Sequence, residues 1–441
     1  MENYDIVIVG GGPAGFLASI LAKQKYKEKS IALIRKVSKG VIPCALPYVC
    51  GTLGQIDKDL LSDKPLDDLG IQLIIDEVVE IDRKNKIVKT KGGIEIGYQK
   101  LILATGSLPS KVPIKGIENA YFVYKEVEKF RELEEEIEKA NDITIVGGGF
   151  IGVELSEDLV KMGKKVRIIE ILPHVLQIAF DEEFCKELEE KMKEKGIELL
   201  TNSKVVEIQK NEKFKVILED GRKIESDLVI VAIGTKPNIE LAKKAGLEVN
   251  KAIKVNERMQ TSDKDIFAIG DCAEKYDFLT KKPKPIMLAS IACTEAFVAI
   301  ENLFEESSVK MKGVYGTFLT KFDDLVLGAT GYTEQNAKRE GIDVVSSSFE
   351  TVDKHPGKMP EARKIKVKLV FDKSGKLIGG QLLGSLSSVH LINLISLLIE
   401  NGYTVDKILS MQFATQPWLT PAPTVFPIVR AAFLAKQQLR N

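Results

Sequence analysis

Asp5-Ile-Val-Ile-Val-Gly-Gly-Gly-Pro-Ala-Gly15 decides the fold. Its first half is a short β-branched run without alternation, as a strand buried on both faces requires. Its second half spaces Gly10, Gly12 and Gly15 as a tight turn into a helix needs, so that a pyrophosphate reaches the helix N-terminus. A lone glycine pattern says little. Here a strand precedes it, an amphipathic helix follows, and Ile31 to Ile34 supplies the next parallel strand. Asp142-Ile-Thr-Ile-Val-Gly-Gly-Gly149 repeats the stretch almost letter for letter, and Gly152 matches Gly15. Two nucleotide-binding units are predicted.

The residue ending the second strand of such a unit normally holds a ribose. In the second unit it is Glu170, whose carboxylate would bind a 2'-OH and repel a 2'-phosphate, which favours NADH over NADPH; the bland alternative is a solvated strand-end glutamate. In the first unit it is Arg35, a departure with two readings: a donor to ribose or phosphate, or a plain surface arginine.

Outward from these units, Ile71 to Ile75, Val78 to Ile81 and Ile87 to Val88 read as a small β-meander, and Leu101 to Gly106 closes the first unit. Glu126 to Ala140 is a charged helix. Val205 to Leu218 predicts another meander, and Leu228 to Gly234 mirrors Leu101 to Gly106. Asp265 to Asp271 is a buried strand ending on a carboxylate, followed by a long helix over Leu288 to Phe304. From about Thr317 the pattern alternates: Lys364 to Phe371 and Leu377 to Gly384 predict antiparallel strands around a Ser374-Gly375 turn. Ser387 to Asn401 is an apolar helix that serves either the core or an interface.

A length of 441 residues exceeds one core and predicts two or three domains. Acidic and basic side chains balance at 63 each, so no field favours nucleic acid or an anionic membrane. The apolar opening lacks the positive flank of a signal peptide, with Glu2 and Asp5 in its place. No apolar run reaches spanning length and the five cysteines are scattered, which points to the cytoplasm. No metal is expected.

Val-Ile-Pro-Cys44-Ala-Leu-Pro-Tyr-Val-Cys50-Gly51 follows the first fingerprint by about 30 residues. A cysteine just ahead of a helix start meets backbone N–H groups and the positive end of a dipole, which favours the thiolate. A lone cysteine is otherwise more often packing; its placement here favours a redox sulfur. On a helix, Cys44 and Cys50 would stand about 9 Å apart in rise, beyond the roughly 7 Å limit for a bridge, so no disulfide between them is expected. Cys185, Cys272 and Cys293 read as inert packing.

These pieces in this order resemble the FAD-dependent pyridine nucleotide-disulfide oxidoreductases over essentially the whole chain: fingerprint at Gly10, Ala104-Thr105-Gly106, fingerprint at Gly147, and Gly270-Asp271. The resemblance implies an α/β fold of two Rossmann-like dinucleotide-binding domains plus a C-terminal α+β dimerisation domain. Residues 1–112 with 246–316 would bind FAD, 113–245 NAD(P)H, and 317–441 would pair two copies as a homodimer. It implies FAD contacts from Gly10, Gly12, Pro13, Ala14, Gly15, Ala104, Thr105 and Gly106, with Arg35 at the ribose position. Asp271 would meet the ribityl chain, and Leu288 and Ala289 would present a helix N-terminus to the flavin. NADH would meet Gly147, Gly149, Phe150, Ile151, Gly152, Glu154, Glu170 and Gly234.

Within that family the Cys44 stretch looks like the single-cysteine branch of NADH oxidases, NADH peroxidases, CoA-disulfide reductases and persulfide or polysulfide reductases. Ala45 replaces the glycine that typically follows the cysteine. The resemblance implies electrons passing from NADH through FAD to Cys44 and on to a disulfide, CoA-disulfide or polysulfide. Two alternatives are an NADH oxidase acting on O2 and a reductase of a small electron-transfer protein such as rubredoxin. Pro13 stands where some oxidases and peroxidases carry a histidine, Lys358 and Met359 replace a tyrosine pair of the CoA-disulfide reductases, and Gln416-Pro417 stands where dithiol reductases carry His-Pro. His174, His355 and His390 read as structural, and Trp418 either lines the site from a second chain or is an interface aromatic.

Overall fold

Strand Glu2–Val9 runs parallel to Ile31–Arg35 on one side and to Glu95–Leu103 on the other in the computed structural model, which describes residues 1–440. Asn441, the last residue of the expected dimerisation segment, lies outside them. The β-branched run is buried on both faces as the pattern requires: Ile6, Val7 and Ile8 are wholly inaccessible. Each such side chain stabilises the sheet by roughly 1.5–3 kcal/mol. The sheet continues outward from Ile31–Arg35 to Gln72–Ile75, and Ile266–Ala268 joins Glu95–Leu103 in parallel.

The expected meander over residues 71–88 is only partly present. Gln72–Ile75 pairs in parallel with Ile31–Arg35 and belongs to the nucleotide-binding sheet, because a parallel unit places its third strand beside its second. Val78–Asp82 and Ile87–Thr90 form the antiparallel portion and add to Glu95–Leu103.

The chain folds into two compact units, one of residues 1–141 and 230–314, the other of 142–229 and 315 onward. The second contains the repeated fingerprint on a parallel sheet of Asp142–Val146, Lys165–Ile169 and Glu198–Leu200. A three-stranded antiparallel sheet, Val205–Lys210, Phe214–Leu218 and Lys223–Ser226, matches the second predicted meander. The C-terminal segment is a five-stranded antiparallel sheet in the order Thr317–Phe322, Leu325–Gly331, Leu377–Gly384, Lys364–Asp372, Val344–Val352. Gly375 turns at φ +81° between two of its strands, where the sequence placed the turn. Helix His390–Glu400 buries Leu391, Ile392, Ile395, Leu398 and Ile399 and leaves Leu397 exposed, so most of its apolar girth is core.

Candidate active site

In the first unit the glycines hold the backbone at contact distance. Gly10 has φ +112°, and a Cβ there would fall 2.1 Å from the Ala104 carbonyl oxygen; one on Gly15 would fall 1.9 Å from the Gly10 oxygen. A Cβ on Gly12, by contrast, would meet nothing within 4 Å. Gly12 caps helix Pro13–Lys25 and offers no side-chain acceptor to its first-turn amides. An open space in front of uncapped helix amides fits a pyrophosphate.

Two further elements close on this cradle. Gly270, at φ +75°, would carry a Cβ 3.1 Å from the Ala14 methyl, and Asp271 follows in the turn Gly270–Cys272. Asp271 accepts hydrogen bonds from Ser107 Oγ at 2.7 Å and Lys125 Nζ at 2.9 Å. Burial pushes its pKa up, but the Lys125 charge and these hydrogen bonds prevail and hold it below the usual carboxylate range. Thr105 donates to the Asn238 carbonyl at 2.7 Å, and Gly106 accepts from the Asn238 N–H at 2.9 Å. Helix Ala289–Glu301 starts after Leu288 with no side-chain cap. Gly10, Gly15, Ala104, Ala14 and Gly270 are thus brought into contact. Ser107 and Lys125 were not legible, since neither lies near Asp271 in sequence.

Arg35 is no surface arginine. It is 3 % exposed, its guanidinium pairs with Asp63 through two bonds of 2.6 and 2.8 Å, and it also donates to the carbonyls of Val37 and Ser38. The Arg35 hydrogen bonds hold the Asp63 carboxyl below its ordinary pKa. A Cβ on Gly11 would touch the Arg35 stem at 2.6 Å, so the glycine loop rests on it.

The Cys44 segment is helical but not α-helical. Ala45 and Tyr48 donate to carbonyls three residues back, giving a 3₁₀ turn over Leu46–Tyr48 in which Pro47 has no N–H to give. A π turn, Val49–Leu53, follows and ends at Gly54, φ +88°. The expected α-helix dipole behind Cys44 is therefore replaced by a short, mixed helix. An isolated bridge from Val41 to Leu60, with Ile42 N–H donating to the Asp59 carbonyl at 3.2 Å, anchors the segment leading into the turn. Cys44 is exposed and Cys50 buried, and no disulfide joins them. Cys185 and Cys272 are fully buried; burial pushes the Cys185 thiol up to about 12 and raises those of Cys272 and Cys293. They are packing.

The second unit repeats the cradle. A Cβ on Gly152 would fall 2.1 Å from the Gly147 oxygen, whereas Gly149, cap of helix Phe150–Lys161, opens on empty space. Glu170 is 8 % exposed, hence not a solvated glutamate; it accepts from Gly148 N–H at 2.6 Å and Leu172 N–H at 2.8 Å. Phe150 stacks on Phe318 at 5.4 Å, and Glu154 accepts from Thr320 Oγ1 at 2.8 Å. Neither Phe318 nor Thr320 was singled out, being over 160 residues away. Gly234, in the first unit, has φ +92° and open space beside it. His174 meets Glu189, and His355 Nδ1 lies 2.8 Å from the Thr420 carbonyl, both structural placements.

The pyridine nucleotide-disulphide oxidoreductase model matches residues 4–296, and its dimerisation-domain model matches 317–425. The chain belongs to that family, the FAD-dependent NAD(P)H oxidoreductases that two glycine cradles and a cysteine turn would lead one to expect. It is 31 % identical to an NADH oxidase of Methanocaldococcus jannaschii over 99 % of both chains. It is 32 % identical to an NAD(P)H coenzyme A polysulfide/persulfide reductase of Pyrococcus horikoshii, over 94 % of this chain and 95 % of that one. Among solved structures, an NAD-dependent persulfide reductase from A. fulgidus superposes with TM-score 0.91 at 31 % identity, covering 98 % of this chain and 83 % of the other.

Proposed function

We propose that this protein is an NADH-dependent reductase of sulfur–sulfur bonds in which Cys44 is the exit for electrons. One observation supports this most: Cys44 is exposed on an anchored turn in the same compact unit as the first glycine cradle, while Cys185 and Cys272 are sealed in packing. Its thiolate attacks one sulfur of a disulfide, CoA-disulfide or polysulfide and the other sulfur leaves as thiolate. Two electrons from NADH then cleave the Cys44–S bond of the mixed disulfide or persulfide, releasing the attacked sulfur as thiol or sulfide and restoring the Cys44 thiolate. FAD supplies the two-electron relay between nicotinamide and sulfur. Gly12 and the amides of helix Pro13–Lys25 would bind its pyrophosphate, Asp271 would hold its ribityl chain, and the uncapped amides after Leu288 would offset charge on the flavin. The labour divides among three segments: residues 1–112 with 246–316 for FAD, 113–245 for NADH, 317–441 for a homodimer contact.

In the NADH segment, Phe150 and Glu154 flank the nicotinamide and Glu170 faces the adenosine ribose. Because Glu170 is an acceptor already aligned by two backbone amides, a 2'-phosphate beside it meets a fixed negative charge. Glu170→Ala should therefore narrow the NADH-over-NADPH preference by about tenfold, read from the two kcat/KM values; an unchanged ratio removes Glu170 from coenzyme choice.

The second reading, an NADH oxidase, is favoured by the name of the Methanocaldococcus relative. NADH consumption by the purified flavoprotein separates the two. Faster anaerobic turnover with polysulfide or CoA disulfide than aerobic turnover without them supports the reductase, and the reverse order supports the oxidase.

A further inference from the structure

Behind Asp271 lies a charge pair that none of the roles above uses. Glu295 Oε2 accepts the Gly270 N–H at 2.7 Å, and Lys275 Nζ donates to the Gly270 carbonyl at 2.7 Å and to the Ala273 carbonyl at 3.1 Å. The two side chains close on each other at 3.2 Å, with exposures of 3 % and 1 %. Both hydrogen-bonding groups of a single glycine are thus held by the two ends of one ion pair. Gly270 has the widest backbone freedom of any residue type, and its φ of +75° places it in the left-handed region. Turning either flanking peptide would break a charge-assisted hydrogen bond and leave a buried ion short of a partner.

Stability alone does not explain such a pair, since desolvating two ions costs several kcal/mol each and apolar residues of similar volume often pack as well. Geometry does. Glu295 stands in the second turn of helix Ala289–Glu301, and a Cβ on Gly270 would touch the Ala14 and Ala292 methyls at 3.1 and 3.7 Å. The clamp fastens the turn bearing Asp271 to the helix whose uncapped N-terminus would face the flavin, where that turn also meets the first fingerprint helix. We propose that Lys275 and Glu295 are positioning residues for FAD, fixing the Gly270 peptides so that the Asp271 carboxylate stands ready for the cofactor. This rests on the reading of Asp271 as an FAD contact.

The test is FAD retention by the full-length protein, followed by flavin fluorescence on dilution and by visible circular dichroism of the bound flavin. Lys275→Met and Glu295→Leu should each raise the FAD dissociation constant on the order of tenfold or more. Glu295→Gln, which still accepts from Gly270, should lose less. The charge-neutral double variant Lys275→Met with Glu295→Leu leaves no unpaired buried ion and serves where a single variant fails to fold. In an Asp271→Ala background the same substitutions should add less than about twofold, because they act through Asp271. A folded double variant with unchanged FAD affinity and unchanged flavin dichroism overturns the clamp, as do clamp and Asp271 effects that multiply in full. An Asp271→Ala variant that retains FAD like the parent overturns the Asp271 reading and the clamp with it.

Discussion

Asp59 is 1 % exposed, and neither of its carboxylate oxygens has a hydrogen-bond partner. Burial pushes its pKa up to about 6, against an ordinary value of about 3.9 in an unfolded chain. The folded protein therefore holds the extra proton between those values, so stability falls as pH rises through the window and the loss is complete above about 6. Asp59→Asn removes that dependence. Between pH ~4 and ~7 the parent should lose about 2–4 °C more in melting temperature than the variant, and parallel melting curves would show that Asp59 is already solvated. The carbonyl of the same residue accepts from Ile42, two positions before Cys44, so this cost falls on the segment leading into the cysteine turn.

The Arg35–Asp63 pair belongs to the scale of elements. It ties the end of strand Ile31–Arg35 to the Val37–Ser38 bend and to the residue that caps helix Lys64–Asp68. Asp63→Asn strands a guanidinium whose side chain is 1 % exposed and should cost roughly 3 kcal/mol in urea unfolding; Arg35→Leu should cost less, because Asp63 keeps Lys39. Equal losses would mean that the pair, not the buried charge, sets the penalty. Elements made by local rules were legible: the strands at Asp5 and Asp142 follow from their β-branched runs, the turns into the helices after Gly12 and Gly149 from the close contacts at Gly10, Gly15 and Gly152, and the Gly375 turn from its φ of +81°. Gln72–Ile75 was misassigned because its neighbour, Ile31–Arg35, lies about 40 residues back and four residues of strand carry no mark of parallel pairing. The 3₁₀–π character of the Cys44 segment was hidden for a related reason, since hydrogen-bond period is not written in composition. Partners such as Asp63 for Arg35 or Glu295 for Gly270 required the fold itself.

At the scale of the whole molecule, residues 317–425 match a dimerisation-domain model, and the proposed homodimer would cover exposed apolar side chains of that segment. Leu386, Leu397, Trp418 and Leu419 are between 51 and 66 % exposed. The paired substitution Leu397→Glu with Leu419→Glu should shift the mass seen by light scattering from two chains to one without unfolding either. A parent that is already monomeric contradicts the proposed homodimer.

The claim on which the functional account turns is that electrons leave through one sulfur. Replacing Cys44 by serine and following NADH consumption with polysulfide, CoA disulfide and oxygen, at equal FAD content, tests it directly. The account predicts a loss on the order of a hundredfold or more with both sulfur acceptors, while NADH still bleaches the flavin. Undiminished turnover of polysulfide and CoA disulfide by the serine variant would contradict it.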